Sequence, residues 1–399
     1  MPNLPDAFTA DVPFASVDLL FESRSADAGG SVGSTVIDLR SPSEFADDHV
    51  PGAINVPLFE DLTRSFVGLL YKQFSPEAAF QEGRVAVVER VDEMVAEIAE
   101  AIGWEIPRED LRARVMAMTE GGIAKMESEL SPALQAELPA NPVVLHCARG
   151  GLRSRSVVAL LRALGLERAI GMEGGYRAFR RRVMEDLAAW TAPENVVSLR
   201  GLTGVGKTLV LRAIERARPG WTMDLEGHAG HRSSLLGMVG LEPVSQKAFD
   251  TALWMRARSG FPDGVMVMEG ESRKVGDVII PARIWAALQA ATNVEITASI
   301  PRRVSVLKED YLARKSAMPL LRDQLVAVEA RMERKFDLAG MLDRGEVDGL
   351  VEILLEHYYD PLYLRSETGK AYAARFEAED EEGAAAAVIE AIDSGRLFG

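Results

Sequence analysis

Cys147 is the only cysteine among the 399 residues, and it sits where a reactive thiolate can be made. It ends an apolar run, Val143-Val144-Leu145-His146, and opens the loop Ala148-Arg149-Gly150-Gly151-Leu152-Arg153-Ser154, ahead of a helical pattern over 155–164. A strand, a glycine loop and a helix start direct several backbone N–H groups at one spot. Together with the charges of Arg149 and Arg153 they lower a thiol's pKa and keep the anion available near neutral pH. A cysteine retained for packing alone belongs inside an apolar element rather than at its polar end. Cys147 is therefore expected to be a nucleophile, with Arg149 and Arg153 as its cationic partners.

A second group of residues suits phosphate. The run Gly201-Leu202-Thr203-Gly204-Val205-Gly206-Lys207-Thr208 fits G-x-x-x-x-G-K-S/T at every fixed position. It follows an apolar segment, residues 195–200, and precedes a helical pattern over 208–218. Gly201, Thr203, Gly204 and Gly206 would let the backbone curl around a phosphate, Lys207 adds a point charge, and the Thr208 hydroxyl can hold Mg²⁺. Two further apolar runs end in acids: one before Asp224 and Glu226, the other, residues 265–268, before Glu269 and Glu271. Acids at the C-terminal edge of a sheet can orient Mg²⁺ or assist a leaving group beside the phosphate loop. His231 and Arg232 are candidate substrate contacts. With no cysteine and no third histidine nearby, His228 and His231 do not make a structural zinc site.

The elements needed to position these groups are α/β in pattern. Residues 85–102 and 110–130 carry apolar side chains at helical spacing, with a break at Gly121-Gly122. Within this long helical stretch, Tyr71-Lys72-Gln73-Phe74 reads as packing surface in preference to part of a substrate cleft. A further strand is expected over 294–300, after which the chain turns largely helical. Pro301-Arg302-Arg303-Val304 opens a helix whose arginines either reach a phosphate or lie solvated. The aromatic group His357-Tyr358-Tyr359-Asp360-Pro361-Leu362-Tyr363 reads as a docking corner for the last segment, with stacking on a base as the alternative. A boundary near Thr191-Ala192-Pro193 divides the chain into 1–190, with a helical insertion at about 60–140, and 191–399.

Composition narrows the partners. The 47% hydrophobic and 26% charged content is that of an ordinary globular protein. No apolar run has transmembrane length, the start lacks a signal-peptide pattern, and a lone cysteine suits a reducing compartment. A cytoplasmic address without a membrane partner is expected. The net charge of −15 argues against nucleic acid, but its distribution does not. Residues 149–182 hold nine arginines against Glu167 and Glu173. Arg180, Arg181 and Arg182 are the candidates there for phosphodiester contact, with a solvated helix face as the alternative.

Several of these segments resemble known families. The C-x5-R spacing of Cys147 and Arg153, followed by Ser154, is shared by cysteine phosphatases and, one residue shorter, by rhodaneses. Val36-Ile37-Asp38-Leu39-Arg40-Ser41-Pro42, His49-Val50-Pro51-Gly52-Ala53-Ile54-Asn55 and Gly171-Met172-Glu173-Gly174-Gly175-Tyr176 resemble a rhodanese domain. A rhodanese segment followed by a phosphate loop resembles the tRNA 2-selenouridine synthases. So do Asp224-Leu225-Glu226-Gly227, His231-Arg232-Ser233, Glu269-Gly270-Glu271-Ser272 and Tyr358-Tyr359-Asp360-Pro361. One departure is Ser233-Ser234, where Gly-Ser is expected.

That resemblance implies an α/β fold: an N-terminal rhodanese-like domain with a helical insertion, then a P-loop NTPase-like parallel-sheet domain and a helical C-terminal region. It also implies a selenotransferase that replaces sulfur by selenium in the wobble 2-thiouridine of tRNA, with Cys147 carrying the selenium. Selenophosphate and geranyl diphosphate would be co-substrates, the latter giving a geranylated intermediate, and a selenophosphate-producing enzyme would be a partner. The residues leave open whether the phosphate loop holds the prenyl diphosphate with Mg²⁺, or ATP or GTP. The competing reading is a rhodanese-type sulfurtransferase or cysteine phosphatase fused to an ATP-dependent kinase-like domain.

Overall fold

The computed structural model describes residues 11–25, 34–232, 236–312, 315–367 and 369–398. It divides into two compact units, Met1–Met184 and Glu185–Gly399.

The first unit is built on a six-stranded, all-parallel sheet ordered Ala53–Asn55, Thr35–Asp38, Val143–His146, Ala169–Met172, Val12–Ala15, Pro132–Leu134. Val143–His146 is fully buried and lies between Thr35–Asp38 and Ala169–Met172. A parallel strand covered on both faces must be an uninterrupted apolar run, which is why this segment does not alternate. Its C-terminal end delivers Cys147 to the sheet edge where ligands of such folds bind. Helix Leu152–Ala163 then starts from Gly151 and buries Val157, Val158, Leu160 and Leu161 against the sheet.

The helical insertion comprises Asp61–Gln73, Pro76–Ile102, Leu111–Met118 and Gly122–Glu129. The longest has a complete set of end signals: Ser75 accepts a hydrogen bond from the Ala78 N–H at 3.0 Å, and Pro76 occupies the first turn. Gly103 closes it in the left-handed region. The predicted break at Gly121-Gly122 is present, with both residues at positive φ. Met94, Val95 and Ile98 join Val115, Met118 and Met126 in the same core as the sheet strands, so the insertion is packed onto the unit.

The second unit carries a five-stranded parallel sheet ordered Ala374–Glu377, Thr292–Thr297, Asn195–Arg200, Val265–Glu269, Thr222–Met223. The middle strand, Asn195–Arg200, leads into the phosphate loop, and helix Lys207–Ala217 follows. The strand expected over 294–300 stops at Thr297, because Ile300 already begins helix Ile300–Leu312. A separate helical cluster gathers Leu307, Leu321, Leu325, Leu350, Leu354 and Tyr359 into its own core. No described helix is long and apolar enough to cross a membrane.

Candidate functional site

In the first unit the Cys147 loop rests on two glycine contacts. Gly150 has φ 62°, and a Cβ there would lie 2.8 Å from the Met172 carbonyl oxygen. At Gly175 (φ 57°) a Cβ would come 2.2 Å from the Cys147 carbonyl oxygen. The chain at Gly174-Gly175 thus passes directly beneath the loop, and Tyr176 N–H donates to the Cys147 carbonyl at 3.0 Å. Only residues without a side chain permit that approach.

Beneath this layer lies a buried polar frame. Arg40 donates to both Asp38 oxygens (2.6–3.1 Å) and to the Asp48 carbonyl at 2.7 Å. Its guanidinium lies 3.6 Å from the centre of the Tyr176 ring, and the Tyr176 hydroxyl donates to Asp48 at 2.7 Å. Burial, and then that Asp48 partner, push the Tyr176 phenol well up, so it remains a donor. His146 is fully buried; burial pushes its pKa down and outweighs the pull of Asp38, leaving the ring neutral. These groups fix the loop's floor and leave the chemistry to Cys147.

The Cys147 sulfur is 2% exposed and lies 3.4 Å from the Ser154 hydroxyl. Burial alone pushes this thiol up. The charge of Arg153, the Ser154 hydroxyl and the backbone N–H groups of Arg149 and Ser154 outweigh it and hold the thiol below its ordinary value. Arg149 is exposed at the rim, and Arg153 is half-buried.

A cavity of about 660 Å³ opens over the loop, between it and the inserted helices. Phe59, Val67, Phe80, Met94 and Val115 form part of its apolar wall, and Arg64, Lys72, Arg84 and Arg149 bring positive charge. Tyr71 is 60% exposed and lines this cavity with Lys72, which favours the cleft over the packing surface among the two sequence readings. Both residues belong to the last turns of helix Asp61–Gln73.

The second unit forms the predicted phosphate loop. Gly201, Gly204 and Gly206 all have positive φ, and a Cβ on Gly201 would lie 2.2 Å from the Ile296 carbonyl oxygen. Lys207 Nζ reaches the carbonyls of Gly201 at 2.9 Å and Leu202 at 3.2 Å. Thr208 donates to Glu269 and lies 3.4 Å from Glu226. Glu269 is completely buried; burial, then Asp224 and Glu271, push its pKa up to about 8. Glu226 is also pushed well up, by burial first and then by Glu271 and Glu269. The four acids predicted from the ends of two strands therefore interact, as expected of a site that is completed by positive charge.

Among the described residues no three His, Cys, Asp or Glu side chains are arranged as a protein-only metal cage. That does not conflict with Mg²⁺, which is ordinarily held by one or two protein oxygens together with phosphate and water. Glu269 leaves its second oxygen buried without a hydrogen-bond partner, beside the Thr208 hydroxyl. This pair fits the cation.

Other predicted contacts are engaged differently. Arg232 bonds the Val239 carbonyl at 2.9 Å and Asp310 at 3.2 Å, a bracing role within the fold. His231 is half-buried, packed against Gly276, with its pKa pushed down by burial. Arg180 lies 3.6 Å from Asp48, Arg182 pairs with Asp18, and Arg181 is exposed. Ser233-Ser234 lies outside the described residues.

Arg303 corrects both sequence expectations: it is neither solvated nor free to reach a phosphate. It is 3% exposed, donates to the Thr203 carbonyl at 2.8 Å, and binds both Asp360 oxygens at 2.5 and 3.0 Å. The phosphate loop is thus clamped by the C-terminal helical region. Sequence reasoning missed this pair; the only signal was an arginine and an aspartate in two separately quoted segments.

Fold and sites together define a two-unit α/β protein with a cysteine-loop unit of rhodanese type and a phosphate-loop unit. The pattern described as "Rhodanese-like domain" matches residues 22–88, and "tRNA 2-selenouridine synthase AAA domain" matches residues 194–337. A tRNA 2-selenouridine synthase of Cupriavidus necator is 31% identical over 361 residues, covering 83% of this chain and 88% of the relative. One from Chromohalobacter salexigens is 30% identical, covering 82% and 86% respectively. The chain belongs to the tRNA 2-selenouridine synthase family.

Proposed function

We propose that this protein exchanges sulfur for selenium in the wobble 2-thiouridine of tRNA, using selenophosphate as donor and passing through an S-geranyl intermediate made from geranyl diphosphate. The observation that carries the reading is the Cys147 loop, whose lowered thiol, paired arginines and convergent N–H groups suit an anionic donor. Family membership supplies the tRNA.

The steps divide between the units. Geranylation uses the thiocarbonyl sulfur as nucleophile toward the allylic carbon; a C–S bond forms, the C–O bond breaks and pyrophosphate leaves. Backbone N–H groups of residues 201–208 and the Lys207 ammonium would bind that diphosphate, as this loop type does without reading a base. Mg²⁺ held by Thr208 and Glu269 would neutralise charge on the departing pyrophosphate. Alkylation makes the sulfur a leaving group at C2, and selenide delivered from the Cys147 loop displaces it. Arg149 and Arg153 hold the donor's oxygens there, and the exposed arginines of residues 149–182 would meet tRNA phosphates.

The phosphate loop also suits ATP or GTP. Purified protein, 2-thiouridine tRNA and geranyl diphosphate without nucleotide decide the point. Geranyl transfer by the wild type, and none by Lys207→Ala, is expected; a strict ATP requirement would contradict the diphosphate role. Nucleoside mass spectrometry of bulk tRNA from cells with and without the chain tests the whole reading. Unchanged 2-selenouridine would overturn it.

A further inference from the structure

We infer that Cys147 attacks the phosphorus of selenophosphate, forming a phosphocysteine and freeing selenide, rather than carrying selenium itself. The inference rests on the proposal that selenophosphate is the donor at this loop.

Electron balance is the first argument. In selenophosphate, selenium is already at the selenide level and phosphorus at the phosphate level. Taking selenium onto the sulfur as a perselenide would oxidise selenium by two electrons and require phosphorus to leave as phosphite, or a separate oxidant. Attack at phosphorus needs neither. The Sγ–P bond forms, the P–Se bond breaks, and hydrogen selenide anion departs with the electron pair. Selenide then adds at C2 of the S-alkylated uridine, its proton passes to N3, the C2–S bond breaks and the alkanethiolate leaves. Water attacks the phosphocysteine, the Sγ–P bond breaks and orthophosphate is released with the thiolate restored. No oxidation state changes.

Geometry is the second. The run His146-Cys147-Ala148-Arg149-Gly150-Gly151-Leu152-Arg153-Ser154 places four residues, 148–151, between the nucleophile and the helix that carries Arg153. Gly150 and Gly175 let the backbone at 174–175 pack directly against the loop, which holds the loop backbone in place around the sulfur. N–H groups of Arg149 and Ser154 converge on the sulfur, so the equatorial oxygens of a phosphoryl group attached there meet the same donors. The Ser154 hydroxyl, 3.4 Å from Sγ, is placed to stabilise the thiolate each time it leaves phosphorus.

The cavity above is the third. Its volume of about 660 Å³ is that of a site for a sizeable organic ligand, whereas the donor is one small anion. Its apolar wall suits the alkylated base, so selenide released at the floor meets C2 before it meets bulk water.

The test is a rapid denaturing quench, at alkaline pH, of the full-length chain turning over selenophosphate with S-geranyl-2-thiouridine tRNA. Peptide mass analysis should find a phosphoryl group on Cys147, and Ser154→Ala should raise its steady-state level by about tenfold, from the loss of one hydrogen bond to a thiolate. Reaction in ¹⁸O-water should place one labelled oxygen in the released orthophosphate. Selenium on Cys147, or an unmodified Cys147 in the presence of selenophosphate, would overturn the inference. Nucleosides from the same samples separate the two claims: phosphocysteine without selenated tRNA defeats the proposed function alone, and selenated tRNA without phosphocysteine defeats this inference alone.

Discussion

The proposed chemistry of Cys147 runs through an anion that its neighbours favour, so a pH profile is its direct signature. The thiol is held down chiefly by Arg153 against the upward push of burial. Alkylation by iodoacetamide should rise with pH and level off below the ordinary thiol range, because the reactive thiolate is already formed there. Arg153→Ala should move that inflection upward and slow alkylation at neutral pH. An unchanged profile would show that the charge is not felt by the sulfur. Gly175 makes a second residue-scale case. Gly175→Ala puts a Cβ at φ 57°, 2.2 Å from the Cys147 carbonyl oxygen, and should destabilise the first unit by about 1–3 kcal/mol or more. Thermal melting reads the loss, and an undiminished Tm would contradict the contact.

At the scale of elements, the phosphate loop depends on a helix and a carboxylate distant in sequence. Asp360→Ala leaves the Arg303 guanidinium buried without its counter-charge, and breaking such a pair costs about 3–5 kcal/mol. Urea unfolding should show that loss. Arg303→Met with Asp360→Leu should recover most of the stability while still weakening geranyl diphosphate binding, since the Thr203 carbonyl loses its donor in the double variant. Full binding by the double variant would mean that the clamp shapes stability alone. This pair also marks where sequence reading ends. The central strands were legible because Val143–His146 and Val265–Glu269 are unbroken apolar runs ending in polar groups, as parallel core strands must be. Strand order was not, nor was the pairing of Val12–Ala15 with Pro132–Leu134, whose partners lie more than a hundred positions apart. The phosphate loop was legible residue by residue because its contacts are local. Arg303 and Asp360, 57 residues apart, carry no local sign of each other. Sequence could not decide between packing and cleft for Tyr71, since hydropathy does not say which side of a helix its neighbours leave open.

For the whole molecule, the proposed function puts its two steps on separate compact units, so they should be separable. The chain's charge suits that partner locally: residues 149–182 are strongly basic within a protein of net charge −15. Binding of tRNA should therefore weaken steeply with salt, while alkylation of Cys147 by a neutral reagent should not. The most direct measurement is nucleoside mass spectrometry of tRNA from cells that carry either Cys147→Ser or Lys207→Ala in place of the wild-type chain. The account predicts that Cys147→Ser accumulates S-geranyl-2-thiouridine without 2-selenouridine, and that Lys207→Ala accumulates neither and retains 2-thiouridine. Loss of geranylation in a folded Cys147→Ser protein, or 2-selenouridine at the wild-type level in Lys207→Ala, would contradict it.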